Sequence, residues 1–218
     1  MKTNAPLAAV EEDGVVAVVR LNDLSKAAPL TAALVAGGLR VVEFTFTNPA
    51  AAGAITVARE ALGERALIGA GSVLDAETAR IAILAGASFV VTPTVSLPVI
   101  STCQRYGVAT VIGALTPTEM LTAWEGGATY VKVFPASLGG PRYLRDVLAP
   151  LPQLKLIPTG GVALDNAADF IRAGAAAVAL GSNLVDARSV ANEDWPTLTA
   201  RATAIVTEIA RARQPRSA

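Results

Sequence analysis

A lysine enclosed by apolar residues is the first place in this chain where chemistry can sit. Tyr130-Val131-Lys132-Val133-Phe134-Pro135 has the β-branched and aromatic content of a strand, apolar on both alternating faces and hence buried on both sides. An ammonium there must find a partner, reach water or lose its proton. Two readings stay open on this stretch alone. The amine either snorkels to solvent from a strand end, or it is a nucleophile whose pKa burial has lowered. Glu43, in Val41-Val42-Glu43-Phe44, is the one carboxylate inside any strand-like run. With Lys132 it offers proton transfer beside a nucleophile, or an internal salt bridge. Two glycine turns, Pro158-Thr159-Gly160-Gly161 and Leu180-Gly181-Ser182-Asn183, either bring backbone N–H groups close to an anion or serve as ordinary turns.

The elements that must position these groups form a repeat. A glycine followed at once, or within a few residues, by a short apolar run recurs along the chain. Gly14 precedes Val15–Val19, Gly38 precedes Val41–Phe44, and Gly63 precedes Ala66–Ile68. Gly86, Gly107, Gly127 and Gly174 stand likewise before Phe89–Val91, Val108–Ile112, Tyr130–Phe134 and Ala177–Leu180; Pro150 and Pro152 mark the remaining boundary, before Lys155–Ile157. Glycine ends helices because it accepts the left-handed conformation after the last turn. Helix starts are signalled between the runs at Asp23, Asn48-Pro49, Asp75, Thr116-Pro117-Thr118-Glu119 and Asp165. Asp194-Trp195-Pro196 opens a last helix with Leu198, Ala202, Ile205 and Ile209 on one face. Eight strand–helix units of about 20 to 26 residues predict a parallel sheet closed into a (β/α)8 TIM barrel. An open doubly wound sheet is the alternative, but Gly69-Ala70-Gly71-Ser72-Val73-Leu74 lacks the third glycine of the dinucleotide fingerprint. The expectation is one barrel domain over residues 1–218, with a short helix in residues 1–13 and a frayed tail at 213–218.

Composition narrows the function classes. Lysine plus arginine and aspartate plus glutamate balance at 18 each, so no global field draws nucleic acid or an anionic membrane. Histidine is absent, which removes imidazole as base or ligand and argues against a metal site. The single Cys103 permits no internal disulfide and fits a reducing cytosol as a small buried hydrophobe. Met1–Pro6 lacks the apolar core of a signal peptide, and uncharged Ile81–Gln104 is interrupted by Gly86, Pro93 and Pro98. A soluble, cytoplasmic protein is expected.

In such a barrel the site lies at the C-terminal ends of the strands. Those ends carry Arg20, Glu43 to Thr47, Ser72, Thr92-Pro93, Gly113, Lys132 to Pro135, Thr159-Gly160-Gly161 and Gly181-Ser182. Lys2 and Lys26 lie off the strands and Lys155 begins one at the opposite rim, leaving Lys132 as the one interior lysine. Glu43 and Lys132 fall on strands two and six, and alternate strands fill the same interior layers. The loops after strands seven and eight are the usual phosphate cradle of these barrels. An amine that condenses with a ketone makes an iminium, an electron sink for a breaking C–C bond. The constellation therefore predicts carbon–carbon chemistry on a phosphorylated keto compound. Blander roles remain for Pro93 and Phe134 as shapers of the rim, and for Arg20 as a surface ion-pair partner.

The chain resembles the 2-keto-3-deoxy-6-phosphogluconate (KDPG) aldolases, also called KHG/KDPG aldolases. The resemblance rests on Val42-Glu43-Phe44-Thr45-Phe46-Thr47-Asn48-Pro49, Ile68-Gly69-Ala70-Gly71-Ser72-Val73, Val91-Thr92-Pro93, Val131-Lys132-Val133-Phe134-Pro135 and Pro158-Thr159-Gly160-Gly161. It implies that Lys132 forms the Schiff base, that Glu43 is the acid/base, and that Gly160, Gly161, Gly181 and Ser182 bind phosphate. It implies cleavage of KDPG to pyruvate and glyceraldehyde 3-phosphate, with 4-hydroxy-2-oxoglutarate as a further substrate. A homotrimer is implied, and no metal or organic cofactor. Some members hold the pyruvate carboxylate with an arginine where this chain has Thr47, so Arg20 would supply the cation and Ser72, at a usual threonine position, a hydrogen bond. Thr159 resembles the gluconate-type enzymes; galactonate-type relatives tend to be apolar there. Two rivals are a metal-dependent sugar-phosphate epimerase and a barrel that binds a sugar phosphate without catalysis.

Overall fold

The computed structural model describes residues 8–214. Eight strands form it: β1 (Val15–Val19), β2 (Val41–Thr45), β3 (Leu67–Gly71), β4 (Phe89–Val91), β5 (Ala109–Ala114), β6 (Tyr130–Val133), β7 (Leu156–Pro158) and β8 (Val178–Leu180). All neighbours pair in parallel, in the order β7-β6-β5-β4-β3-β2-β1-β8. The two outer members meet through one parallel bridge, Thr159 with Ala179, and through the Ala176 N–H donated to the Leu156 carbonyl at 2.9 Å. The predicted (β/α)8 barrel is therefore present, and its closing seam between β7 and β8 is its most thinly bonded joint.

Ten helices accompany the strands among the described residues: α1 (Ala8–Asp13), α2 (Ala27–Ala36), α3 (Ala51–Leu62), α4 (Ala76–Leu84), α5 (Leu97–Arg105), α6 (Pro117–Glu125), α7 (Gly140–Leu148), α8 (Ala167–Arg172), α9 (Ala187–Ala191) and α10 (Trp195–Arg213). The cap signals hold where the side chain is close enough to a free N–H. Asp75 accepts from Thr78 N at 2.6 Å, Thr116 and Glu119 form a reciprocal capping box, and Asp194 accepts from Thr197 N. At the Asp165 signal the structure differs: Asn166 spends its carboxamide on the Ala163 N–H and the Gly161 carbonyl, and α8 starts only after it.

Side chains along each strand alternate between two compartments. Val15, Ala17 and Val19 pack outward against the helices, whereas Val16 and Val18 join Val91, Val111 and Ile157 inside the barrel. Both faces of β1 are covered, so all five of its residues are buried. The expected N-terminal helix is α1, with residues 1–7 outside the described range. It closes the base of the barrel: Val10 inserts into the interior cluster, and Glu11 accepts from the Tyr130 hydroxyl at 2.8 Å and from Lys155 at 2.7 Å. The tail expected to fray from residue 213 is held there, because Arg213 ends α10 and donates to the carbonyls of Glu12 and Ala176. Residues 215–218 lie outside the described range. No helix among the described residues is long and apolar enough to cross a membrane.

Candidate active site at the barrel mouth

Lys132 and Glu43 both point inward near the C-terminal ends of their strands. β5 and β7 flank Lys132 in register at Gly113 and Ile157, and β1 and β3 flank Glu43 at Val18 and Gly69. Lys132 is 3% exposed and Glu43 2% exposed, so the snorkelling alternative for the lysine does not occur. The internal salt bridge does not form either. Among the described residues neither side chain enters an ion pair within 4.0 Å, and Glu43 Oε1 has no hydrogen-bond partner at all. The Lys132 amine sits 4.9 Å from the centroid of the Phe134 ring.

Burial moves both groups toward neutrality. It pushes the Glu43 carboxyl above its usual pKa, with the charges of Lys132 and Arg20 opposing the rise. It pulls the Lys132 amine below its usual pKa; Glu43 opposes the fall and Arg20 adds to it. A neutral amine is a nucleophile, and a neutral carboxyl can donate a proton and then take one back. Glycine makes room for this arrangement. A Cβ on Gly71 would stand 2.6 Å from Glu43 Oε1, and one on Gly113 would strike the Pro93 carbonyl carbon at 2.2 Å.

The pair borders an interior void of about 10 Å³ beneath a mouth pocket of about 220 Å³. Thr159 and Ala179, the residues of the closing bridge, line both spaces. The upper pocket gathers Arg20, Phe134, Thr159, Gly160, Gly161, Gly181 and Ser182, seven of the residues singled out by sequence. Gly160 and Gly161 adopt φ of +83° and +82°, a conformation that L side chains rarely take. Among the described residues, the N–H groups of Gly160, Gly161, Val162, Ser182 and Asn183 meet no protein acceptor. They are open to an anion, and the Arg20 guanidinium, in no ion pair within 4.0 Å, lies over the same pocket.

Three candidates fall outside both spaces. Thr47 is exposed and its hydroxyl pairs at 2.9 Å with that of Thr45, which also donates to the Val19 carbonyl. Ser72 is half-buried with φ of +57°, a left-handed conformation that costs a residue with a Cβ on the order of 1 kcal/mol. Pro93 follows Thr92, whose buried hydroxyl accepts the Gly113 N–H at 3.0 Å and donates to the Thr94 carbonyl at 2.7 Å. The sequence places Thr92 at a strand end and Asn183 in a glycine turn, but assigns neither a role of its own. A buried threonine carries no charge to mark it, and Asn183 gains significance only when the two loops meet. A larger groove of about 750 Å³ lies elsewhere, at Arg142, Arg145 and Arg172, but it is a solvated face where Arg142 and Arg172 already pair with Asp146 and Asp169. Cys103 is buried and its thiol is pushed up to about 12, which leaves it inert. Among the described residues no three Cys, Asp or Glu side chains cluster as metal donors.

Fold and mouth together define a (β/α)8 barrel enzyme that carries a buried amine, a buried carboxyl and two glycine loops with open N–H groups at one end. The sequence model of the KDPG and KHG aldolase family matches residues 8–201, and the chain belongs to that family. It is a carbon–carbon lyase of the class I, pyruvate-dependent kind. It is 38% identical over 193 residues to 2-dehydro-3-deoxy-phosphogluconate aldolase of Treponema pallidum, covering 88% of this chain and 91% of the relative. It is 37% identical to 2-dehydro-3-deoxy-6-phosphogalactonate aldolase of Escherichia coli, over 70% of this chain and 75% of that one. Among solved structures, KDPG aldolase from Legionella pneumophila, with pyruvate captured as a covalent carbinolamine, superposes with a TM-score of 0.85 at 29% identity, covering 92% and 97% of the two chains.

Proposed function

We propose that this aldolase cleaves 2-keto-3-deoxy-6-phosphogluconate to pyruvate and glyceraldehyde 3-phosphate through an imine on Lys132. The observation that carries the reading is the buried, unpaired Lys132 amine beside a carboxyl whose Oε1 has no partner, directly below a glycine cradle. The Lys132 nitrogen adds to the C2 ketone. Glu43 gives its proton to the carbinolamine hydroxyl, which leaves as water. The resulting carboxylate takes the C4 hydroxyl proton as the C3–C4 bond breaks. The bonding pair neutralises the iminium as an enamine, and the aldehyde departs. Glu43 then returns its proton to C3, and water hydrolyses the iminium to pyruvate and free lysine. The phosphate lies against Gly160, Gly161, Gly181 and Ser182, where open N–H groups meet it. Thr159 lines both the mouth pocket and the void beside Lys132, and its hydroxyl makes only a 3.4 Å bond to the Ile157 carbonyl, which leaves it able to meet a substrate hydroxyl. Arg20 and Phe134, which line the mouth pocket, complete the substrate contacts; Ser72, Pro93 and Thr47 lie outside it and shape the strand ends around it.

Support for the phosphogluconate comes from the name borne by the T. pallidum relative; the E. coli relative's name favours the C4 epimer, the phosphogalactonate. A hydroxyl placed for one epimer discriminates strongly, because the other leaves it unpaired. The reading includes 4-hydroxy-2-oxoglutarate as a slower substrate, a homotrimer and a cytoplasmic location. The deciding experiment incubates the protein with pyruvate, reduces with borohydride and maps the adduct by peptide mass. An adduct on Lys132, absent in Lys132→Met, is the expected result; an adduct elsewhere would sink the mechanism. Steady-state cleavage of the two epimers ranks the substrates.

A further inference from the structure

Between β7 and β8 the barrel closes on one bridge, yet a single phosphate must be met by N–H groups from the loops following both strands. We propose that Asn183 is the positioning residue that holds those two loops at phosphate-binding separation, and so sets the preference for phosphorylated over unphosphorylated keto acids. This rests on reading the loops as the phosphate cradle.

Each loop is braced on its outer side. Ala136 N and Ser137 N donate to the carbonyls of Thr159 and Gly160 at 2.8 and 2.9 Å, which fixes the first loop to the segment after β6. Asn166 Nδ2 donates to the Gly161 carbonyl at 2.9 Å and secures its far end. The second loop is wound into a turn by Leu184 N and Val185 N, which both donate to the Gly181 carbonyl. Across the gap there is one link. Asn183 Nδ2 donates to the Val162 carbonyl at 3.2 Å, the sole hydrogen bond between segments 160–166 and 181–186 among the described residues. Val162 is buried, so the asparagine ties the second loop to an anchored point of the first. Donors held at fixed spacing bind without paying to assemble at the moment of contact. Asn183 need not touch the phosphate; it keeps others in place to do so.

The test compares wild type with Asn183→Ala and Asn183→Asp, neither of which can donate to Val162. Three quantities are read: KM for the 6-phosphorylated acid, KM for 4-hydroxy-2-oxoglutarate, and the inhibition constant of inorganic phosphate. Loss of one link predicts that the first and third rise together about 5-fold, equivalent to about 1 kcal/mol at 1.4 kcal/mol per tenfold. The aspartate adds repulsion and exceeds this. The KM for the unphosphorylated acid shifts by much less, and trapping of pyruvate on Lys132 reports that the variants are folded. Equal rises for both substrates, loss of trapping, or no rise for either would overturn the role. Wild type that shows no inhibition by phosphate would remove the cradle itself, and the proposal with it.

Discussion

Gly71→Ala tests whether the position of one carboxylate sets the rate. The methyl group would be 2.6 Å from Glu43 Oε1 and 2.9 Å from its carboxyl carbon, and ordinary contact begins near 3.4 Å, so the carboxyl must retreat by about 0.8 Å (3.4 − 2.6). Gly71 is not in the left-handed region, so the backbone itself accepts alanine. A misplacement near 1 Å costs a catalytic group about 100-fold. A fall of about 30- to 100-fold is therefore expected in kcat and in exchange of the pyruvate methyl protons into heavy water, which reports the transfer at C3. Borohydride trapping, read at its endpoint rather than by its rate, reaches the same level as wild type because the Lys132 amine is unchanged. Gly53→Ala is the matched control: it lies within α3 with nothing within 4 Å of the added carbon. It should leave exchange unchanged and stabilise by about 0.5–1 kcal/mol, as glycine-to-alanine changes in helices do. Wild-type exchange in Gly71→Ala would show that Glu43's position does not limit proton transfer, and the acid/base assignment would fall.

The charges around the amine predict opposite pH shifts in two variants. Glu43 holds the Lys132 pKa up and Arg20 pushes it down, so the midpoint for trapping pyruvate should move to lower pH in Glu43→Gln and to higher pH in Arg20→Met. Shifts of the same sign would contradict the arrangement. Lys132→Met should melt higher than wild type by about 2–4 °C per kcal/mol gained at neutral pH, because an apolar side chain replaces a desolvated amine. The sign follows from linkage: the folded pKa of Lys132 is depressed, so the burial cost acts below the unfolded pKa and the advantage of methionine shrinks as pH rises toward it. Calorimetry showing a lower melting temperature would reverse this account of Lys132. Tyr130→Phe removes the hydroxyl from Glu11 at the base of the barrel and should cost about 1 kcal/mol without changing KM. Hydrogen bonds from Lys155 and Tyr130 hold Glu11 below its usual pKa, so its contribution is present above the unfolded carboxylate value and fades as pH falls through the folded one. The thermal difference between variant and wild type should narrow over that acid range.

Much of the barrel was legible because its signals are local. A glycine that ends a helix and a short apolar run that must be buried on both faces each act within a few residues, and all eight strands overlap the predicted runs. Asp75, Thr116 with Glu119, and Asp194 cap their helices for the same reason, since side chain and N–H are three residues apart. α9 was not foreseen. Asp186 caps it by accepting from Ser189 N, but five residues give no periodicity to read. Arg213 likewise looks like part of a polar tail, and only the return of α10 to the barrel base brings it to Glu12 and Ala176.

At the site, legibility followed chemical oddity. A carboxylate and an amine in apolar strands are costly enough to mark themselves, and both sit where the barrel pattern placed them. Ordinary polar residues carry no such mark. Thr47 was a candidate because a cation is expected at its position, but the turn after β2 carries it to the surface, where it pairs with Thr45. Arg20 takes no ion-pair partner and instead shares the pocket of the glycine loops, so one guanidinium faces both the cradle and, by its charge, the amine and carboxyl below. On the proposed reading of the loops, that double role would tie phosphate binding to the state of the lysine. An anion bound beside Arg20 offsets its charge, which raises the Lys132 pKa and lets Glu43 hold its proton more firmly.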